Sequence, residues 1–241
     1  MSASKSDGTT STLVRRNMTG GGIVIDAAFV YWSDINSGVI SKVPIAGGSP
    51  IELATHEDLK SDFLAIDAKY IYALYQYGGG GIRRVPLSGG TPELFAAEQG
   101  IVESIVVDSQ FVYWTSRREL DAAIMKAPTA GGPPEMVASV VGEPSCITLA
   151  NNELFWIQGT SVMKLSTAGG QPAMLAPTGG ASALAADSSN VFVAAQNLLK
   201  VSISNGNVES LVRVDKYAFG LIVDDTSLYW FGRDGIYRLR K

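Results

Sequence analysis

The chain is poor in the residues that staple small proteins or carry most side-chain chemistry: it has one cysteine, Cys146, and one histidine, His56. A single cysteine excludes an intramolecular disulfide, and with it the disulfide-stapled module. The plainest reading of Cys146 is a small buried apolar residue. Lysine and arginine are scattered, the net charge is −4, and no basic stripe exists, which argues against a nucleic-acid partner. There is no acidic block of the kind that forms an interaction tail. No apolar run approaches the roughly 18 residues that span a bilayer, so no membrane insertion is expected. The opening MSASKSDGTT is polar and lacks the apolar stretch of a signal peptide. Helical periodicity is absent throughout. What remains is a soluble chain of 241 residues, 46% hydrophobic, with ample material for a core.

That material is organised as a repeat. Six segments align: IVIDAAFVYW from Ile23, LAIDAKYIYA from Leu64, IVVDSQFVYW from Ile105, ITLANNELFW from Ile147, LAADSSNVFV from Leu184 and LIVDDTSLYW from Leu221. Their starts are 41, 41, 42, 37 and 37 residues apart, close to the ~40–45 residue period of propeller blades. Each copy begins with a short apolar strand ending at Asp26, Asp67, Asp108, Ala150, Asp187 or Asp224. A tight turn leads to a second strand with an aromatic pair such as Tyr31-Trp32 or Phe155-Trp156. A variable loop then leads to a third strand carrying a basic residue (Lys42, Arg84, Lys126, Lys164, Arg238). Four of the third strands run into Gly-Gly and the fifth into Asn205-Gly206, pairs that supply the positive φ of a two-residue hairpin. Pro50, Pro92, Pro134 and Pro172 open the fourth strand, and proline, lacking an N–H, suits a sheet edge.

The pattern predicts an all-β fold, a six-bladed β-propeller of four-stranded antiparallel blades. The sixth copy ends at Lys241, after its third strand. Thr12-Leu13-Val14-Arg15 matches Ser210-Leu211-Val212-Arg213, the fourth strand of copy five. The N-terminal strand is therefore expected to complete the C-terminal blade, closing the ring and removing exposed edges. Residues 1–9 are expected to be a disordered tail, and residues 10–241 a single monomeric domain.

Tyr-Trp-Ser-Asp at 31–34, Tyr-Trp-Thr at 113–115 and Tyr-Trp-Phe at 229–231 resemble the repeat of YWTD-type six-bladed propellers, as found in TolB-like and low-density-lipoprotein-receptor proteins. The Gly-Gly turns and the basic third-strand residues fit the same pattern. The resemblance spans about residues 11–241. It implies protein or peptide recognition, often outside the cytoplasm. Only the first copy carries the four-residue motif complete.

Comparing the copies with each other separates structural from functional positions. The repeated aspartates read as acceptors for turn amides. The aromatic pairs alternate across a strand and read as packing between blades. The basic residues read as solvated flanks with apolar stems, and Gly78 to Gly81 as a flexible hairpin tip. The turns after strands one and three are short and uniform. The loops after strands two and four vary in length and chemistry, and rigidly held loops commonly carry binding. The candidate ligand-binding residues are accordingly Asp34, His56, Asp62, Tyr75, Tyr77, Glu103, Arg117, Arg118, Tyr217 and Arg233. Asp62 and Glu103 occupy matching places in adjacent copies, five residues before the turn aspartate, and are the candidates for a divalent cation. No other cofactor and no catalytic residue is expected.

Three functions follow from these residues. The first is a non-catalytic scaffold that binds a peptide, protein or glycan on the variable-loop face. The second is a metal-dependent hydrolase or lyase with its cation at the channel mouth. The third is a purely structural domain of a larger surface protein.

Overall fold

The computed structural model describes residues 2–3, 10–11, 20–119, 121–214, 219–232 and 235–241. It is all-β: a six-bladed β-propeller built from antiparallel sheets in chain order. Blade 1 comprises strands Gly20–Ile25, Phe29–Asp34, Val39–Pro44 and Ile51–Thr55. Blade 2 comprises Leu64–Ile66, Tyr70–Tyr75, Gly81–Pro86 and Glu93–Ala97. Blade 3 comprises Ile101–Val107, Phe111–Arg118, Asp121–Pro128 and Glu135–Val140. Blade 4 comprises Pro144–Ala150, Glu153–Gln158, Ser161–Ser166 and Ala173–Pro177. Blade 5 comprises Ala183–Ala186, Asn190–Ala194, Asn197–Ser202 and Val208–Arg213. Blade 6 shows Phe219–Val223, Ser227–Gly232 and Gly235–Arg240. The expectation that residues 12–15 complete blade 6 lies outside the described residues. Ser2–Ala3 pairs antiparallel with Thr10–Ser11. The one helical turn among the described residues is Glu57–Leu59, and none of their helices is long and apolar enough to cross a membrane.

The chain divides into two compact units. The first is residues 1–102 with 107–110 and 129–133; the second is 103–106, 111–128 and 134–241. Within the first, Tyr31, Ile40, Leu53 and Ala54 of blade 1 pack against Ile71, Ala73 and Val85 of blade 2, with Leu59 between them. Within the second, the aromatic pair of blade 4 shows the packing rule. Trp156 joins Tyr113, Ile124 and Val140 of blade 3. Its neighbour Phe155 joins Val191, Val193 and Val201 of blade 5. Adjacent residues of a strand point to opposite faces, so one dipeptide grips two neighbouring blades. Both rings are fully buried, and truncating such a ring to alanine typically costs about 3–5 kcal/mol.

The turn aspartates accept backbone amides as expected. Asp26 Oδ1 takes the N–H groups of Ala28 and Phe29, both at 2.7 Å. Asp67, Asp187 and Asp224 repeat the arrangement at 2.6–2.9 Å. The second carboxylate oxygen has a further partner, the tyrosine hydroxyl five residues on: Tyr31 to Asp26 at 2.7 Å, Tyr72 to Asp67 at 2.8 Å and Tyr229 to Asp224 at 3.2 Å. Blade 5 has Phe192 in place of tyrosine, and there Lys241 Nζ takes Asp187 Oδ2 at 2.6 Å while lying 5.6 Å from the Phe192 ring centroid. Blade 4 has lost both members, with Ala150 and Phe155. Its turn relies on Asn151 and Asn152, at φ +51° and +61°, the pair of positive values a type I′ hairpin needs. Asn151 also donates to the Ser188 carbonyl of blade 5 at 2.6 Å.

The basic third-strand residues depart from expectation. Lys42 and Arg84 do not simply lie on a solvated flank; each latches onto the next blade in sequence. Lys42 Nζ donates to the Leu87 carbonyl at 2.7 Å, 4.6 Å from the Phe29 ring centroid. Arg84 Nη1 donates to the Thr129 carbonyl at 3.0 Å, its guanidinium 4.2 Å from the Tyr70 ring centroid. A cation that has lost hydration on its aromatic side still needs an oxygen partner, and the neighbouring turn supplies one. The Gly-Gly turns join the same seam: Gly90 N–H bonds the Leu53 carbonyl at 3.1 Å, and a Cβ on Gly89 would stand 3.2 Å from that oxygen. The prolines sit just ahead of the outer strands, which begin at Ile51, Glu93, Glu135 and Ala173.

Burial first, and then the hydrogen bond and charge of the partner aspartate, hold the phenols of Tyr31 and Tyr72 well above the usual tyrosine range. The folded state keeps a proton that the unfolded chain releases near pH ~10. This stabilisation is complete below about pH 10 and declines as pH rises above it. Tyr31→Phe and Tyr72→Phe should each cost about 2 kcal/mol at neutral pH and flatten the alkaline limb of a denaturation-versus-pH curve; an unchanged limb would refute the pairing. Lys241→Met should cost about 1 kcal/mol, and less in a Phe192→Tyr background, where the new hydroxyl takes over Asp187. Strictly additive denaturant midpoints would show that lysine and tyrosine do not serve the same oxygen.

Candidate functional site

In the first unit the loop ends of blades 1 and 2 are built by local hydrogen bonds. Asp34 Oδ1 accepts the Asn36 N–H at 3.0 Å, and the Asp34 carbonyl accepts Gly38 N–H at 2.8 Å, so Asp34 shapes its own hairpin. His56 caps the turn Glu57–Leu59, its Nδ1 accepting the Asp58 N–H at 3.1 Å. Asp58 Oδ2 lies 3.6 Å from that nitrogen and 2.6 Å from Arg83 Nε. Leu59, fully buried, pins the turn down. His56 therefore does structural work on its Nδ1 side. Tyr75 is buried, and burial, followed by the Asp58 charge, raises its phenol. Tyr77 is exposed, as is Asp62 on the approach to blade 2.

The Gly78–Gly81 tip is not a free hairpin end. Gln99 N–H bonds the Gly80 carbonyl at 3.1 Å, and Gly100 N–H bonds the Gly79 carbonyl at 2.8 Å. A Cβ on Gly80, at φ +69°, would stand 1.8 Å from the Gly100 oxygen. The glycines allow two backbones to touch, and the result is a rigid mount for Tyr77.

In the second unit the longest hairpin, Phe111–Arg118 with Asp121–Pro128, carries Arg117 between two acids. Its Nη2 is 3.7 Å from Glu103 Oε1, and its Nη1 is 3.4 Å from Glu143 Oε1. Arg117 Nε is buried and has no hydrogen-bond partner among the described residues, and the same holds for the Thr115 hydroxyl and Trp114 Nε1 on the same strand. Arg118 is exposed. Cys146, at φ +53°, lies in a bulge of the first strand of blade 4 with its thiol 3.5 Å from the Ser182 carbonyl. Burial, reinforced by the Glu103 charge, raises that thiol, which disfavours the nucleophilic thiolate.

Tyr217 and Arg233 lie outside the described residues. Asp62 and Glu103 belong to different units; Asp62 makes no ion pair with a described residue, whereas Glu103 pairs with Arg117. Among the described residues no three His, Cys, Asp or Glu side chains converge to hold a metal ion.

The turn ends hold two clefts that the sequence reading did not anticipate. One, of about 380 Å³, is lined by Asp67, Lys69, Tyr70, Arg84, Ser109 and Thr129. The other, of about 520 Å³, is lined by Asp187, Ser188, Asn190, Asp224, Asp225 and Lys241. Most of their polar groups are spent on the turns and latches described above. Lys69 could have been noticed: the equivalent turn positions hold Ala28, Gln110, Asn152, Ser189 and Thr226.

Neither a family model nor a curated protein matches the chain. Among solved structures, a chain of the nidogen/laminin complex has a TM-score of 0.68 at 17% identity, covering 88% of this chain and 89% of that one. Virginiamycin B lyase from Staphylococcus aureus has a TM-score of 0.70 at 14% identity, covering 95% and 83%. A putative TolB from Agrobacterium tumefaciens has a TM-score of 0.66 at 14% identity, covering 84% and 83%. The likeness is one of fold, and the fold is shared by a protein from an intermolecular complex and by a lyase.

Gly80→Ala should cost more than about 2 kcal/mol, combining a backbone clash with a strained φ. Tyr77→Ala should leave the melting temperature unchanged. If Gly80→Ala melted like the parent, the mount would be soft.

Proposed function

We propose that the chain is a non-catalytic recognition scaffold of the YWTD type that takes a protein, peptide or glycan on the loop ends of its blades. The supporting observation is a division of labour between repeated and unrepeated residues. Aspartates, tyrosines and basic residues that recur from copy to copy are engaged in turn bonds and blade-to-blade latches. Side chains peculiar to one copy, including Tyr77, Asp62 and Arg118, stand exposed at the loop ends on well-bonded backbone. A rigid mount lowers the entropy cost of binding. The fold's use in the nidogen/laminin complex makes a protein ligand the favoured class. Residues 10–241 act on this reading as one monomeric domain.

The test is to probe glycan and peptide arrays with the labelled intact chain and titrate the strongest ligands against four variants. Tyr77→Ala and Arg118→Ala at the loop ends should weaken binding at least tenfold with unchanged melting. Lys69→Ala and Asp225→Ala at the turn ends should bind as the parent does. The reverse pattern would refute the proposal. The lyase alternative would gain if Mg²⁺ or Mn²⁺ raised the melting temperature and Asp62→Asn or Glu103→Gln abolished the rise.

A further inference from the structure

The loop end of blade 2 and the first residue of blade 3 leave three large apolar side chains open to solvent: Tyr77 is 77% exposed, Phe63 45% and Ile101 41%. Hydrogen bonds of the flanking residues tie them to one region of the first unit. Leu74 N–H bonds the Phe63 carbonyl at 3.5 Å. The Gln76 side-chain amide reaches the carbonyl of Val102, next to Ile101. The Tyr77 tip is bonded to Gln99 and Gly100, which lead directly into Ile101. Apolar groups held on backbone this firmly bonded cannot retreat into the core, and clustered exposure of this kind marks an interaction surface.

The charge beside this patch is predominantly acidic. Asp62 and Glu98 are both exposed and make no ion pair with a described residue. Of the nearby cations, Arg83 is already paired and Lys60 is exposed. Arg83 is held by Asp58 at 2.6 Å, and Lys60 is outnumbered by the exposed acids Glu57, Asp62 and Glu98. An acidic rim disfavours anionic lipid surfaces. It also disfavours a second copy of a chain whose own net charge is −4.

We infer that the blade 2 loop end with the adjoining start of blade 3, Phe63, Tyr77 and Ile101 beside Asp62 and Glu98, binds an extended segment of a partner protein in which lysine or arginine adjoins aliphatic or aromatic residues. This rests on the loop-end reading above and names the partner chemistry for it. The apolar side chains of the segment cover Phe63 and Ile101. Its cation lies between the two carboxylates, within reach of the Tyr77 ring face.

Panning a random-peptide display library on the intact chain tests the inference, with enriched peptides synthesised and titrated by fluorescence anisotropy. The expected consensus is Lys or Arg beside Leu, Ile or Phe. Tyr77→Ser should weaken binding at least tenfold, as should the double change Asp62→Asn with Glu98→Gln, both with unchanged melting temperature. Raising salt should weaken binding in the parent and far less in the double variant. Peptides that are acidic or uncharged would overturn the inference. So would binding that survives both variants but is lost on Arg118→Ala, an outcome that leaves the loop-end reading standing. Dependence on Lys69 or Asp225 would overturn both. Failure to enrich any peptide would overturn the inference and leave glycan as the ligand class.

Discussion

Each blade must bury both of its faces, and a four-stranded sheet can do that only if its neighbours cover it. The alternation of a β-strand makes this economical. Phe155 and Trp156 are consecutive, yet one is buried against blade 5 and the other against blade 3. A two-residue aromatic step repeated along the chain thus supplies the contacts on both sides of a sheet. Where a copy lacks tryptophan, as at Ala73 or Val193, the smaller side chain still occupies the corresponding seam. The apolar term supplies most of the attraction, because it scales with the area removed from water.

Polar groups set the register of these seams. Asp26, Asp67, Asp187 and Asp224 are each shared between two turn amides and a side-chain donor, which leaves little of the carboxylate unsatisfied. Burial works against the charged form of Asp26, but bonds from Tyr31 and the turn amides hold it below the ordinary carboxylate range. Asp187 behaves alike with Lys241 as donor. The donor changes while the oxygen it serves does not: a hydroxyl at Asp26, Asp67 and Asp224, an ammonium at Asp187. Where the acid is absent, at Ala150, the tyrosine is absent too, as expected if a buried hydroxyl without an acceptor costs more than a phenylalanine. The exposed, unrepeated side chains at the loop ends escape this accounting and are free to meet a ligand.

Much of the blade architecture was legible in the chain. The spacing of the six copies, the aspartate before each first turn and the glycine pairs all point to four-stranded blades, because turn chemistry and strand alternation are local. The tyrosine partner of the aspartate was also within reach, since four of the five copies that carry the acid have tyrosine five residues on. The latches of Lys42 and Arg84 were not, because their acceptors are backbone carbonyls 45 residues away that carry no side-chain signature. At the candidate site, Tyr77 and Arg118 proved exposed. Tyr75 proved buried and His56 proved a cap, since exposure depends on which loops fold over a residue. Phe63 and Ile101 were overlooked because nothing in their local pattern distinguishes them from core residues.

Alone, the order of residues determined the repeat, the turn types and the strand faces, all of which depend on neighbours a few positions apart. Tertiary structure alone decided which carbonyl receives each cation, whether the four-glycine tip is loose or clamped, and which apolar side chains are left uncovered. Those outcomes turn on backbone atoms and excluded volume contributed by distant segments, and such contributions are the same whatever side chains those segments bear.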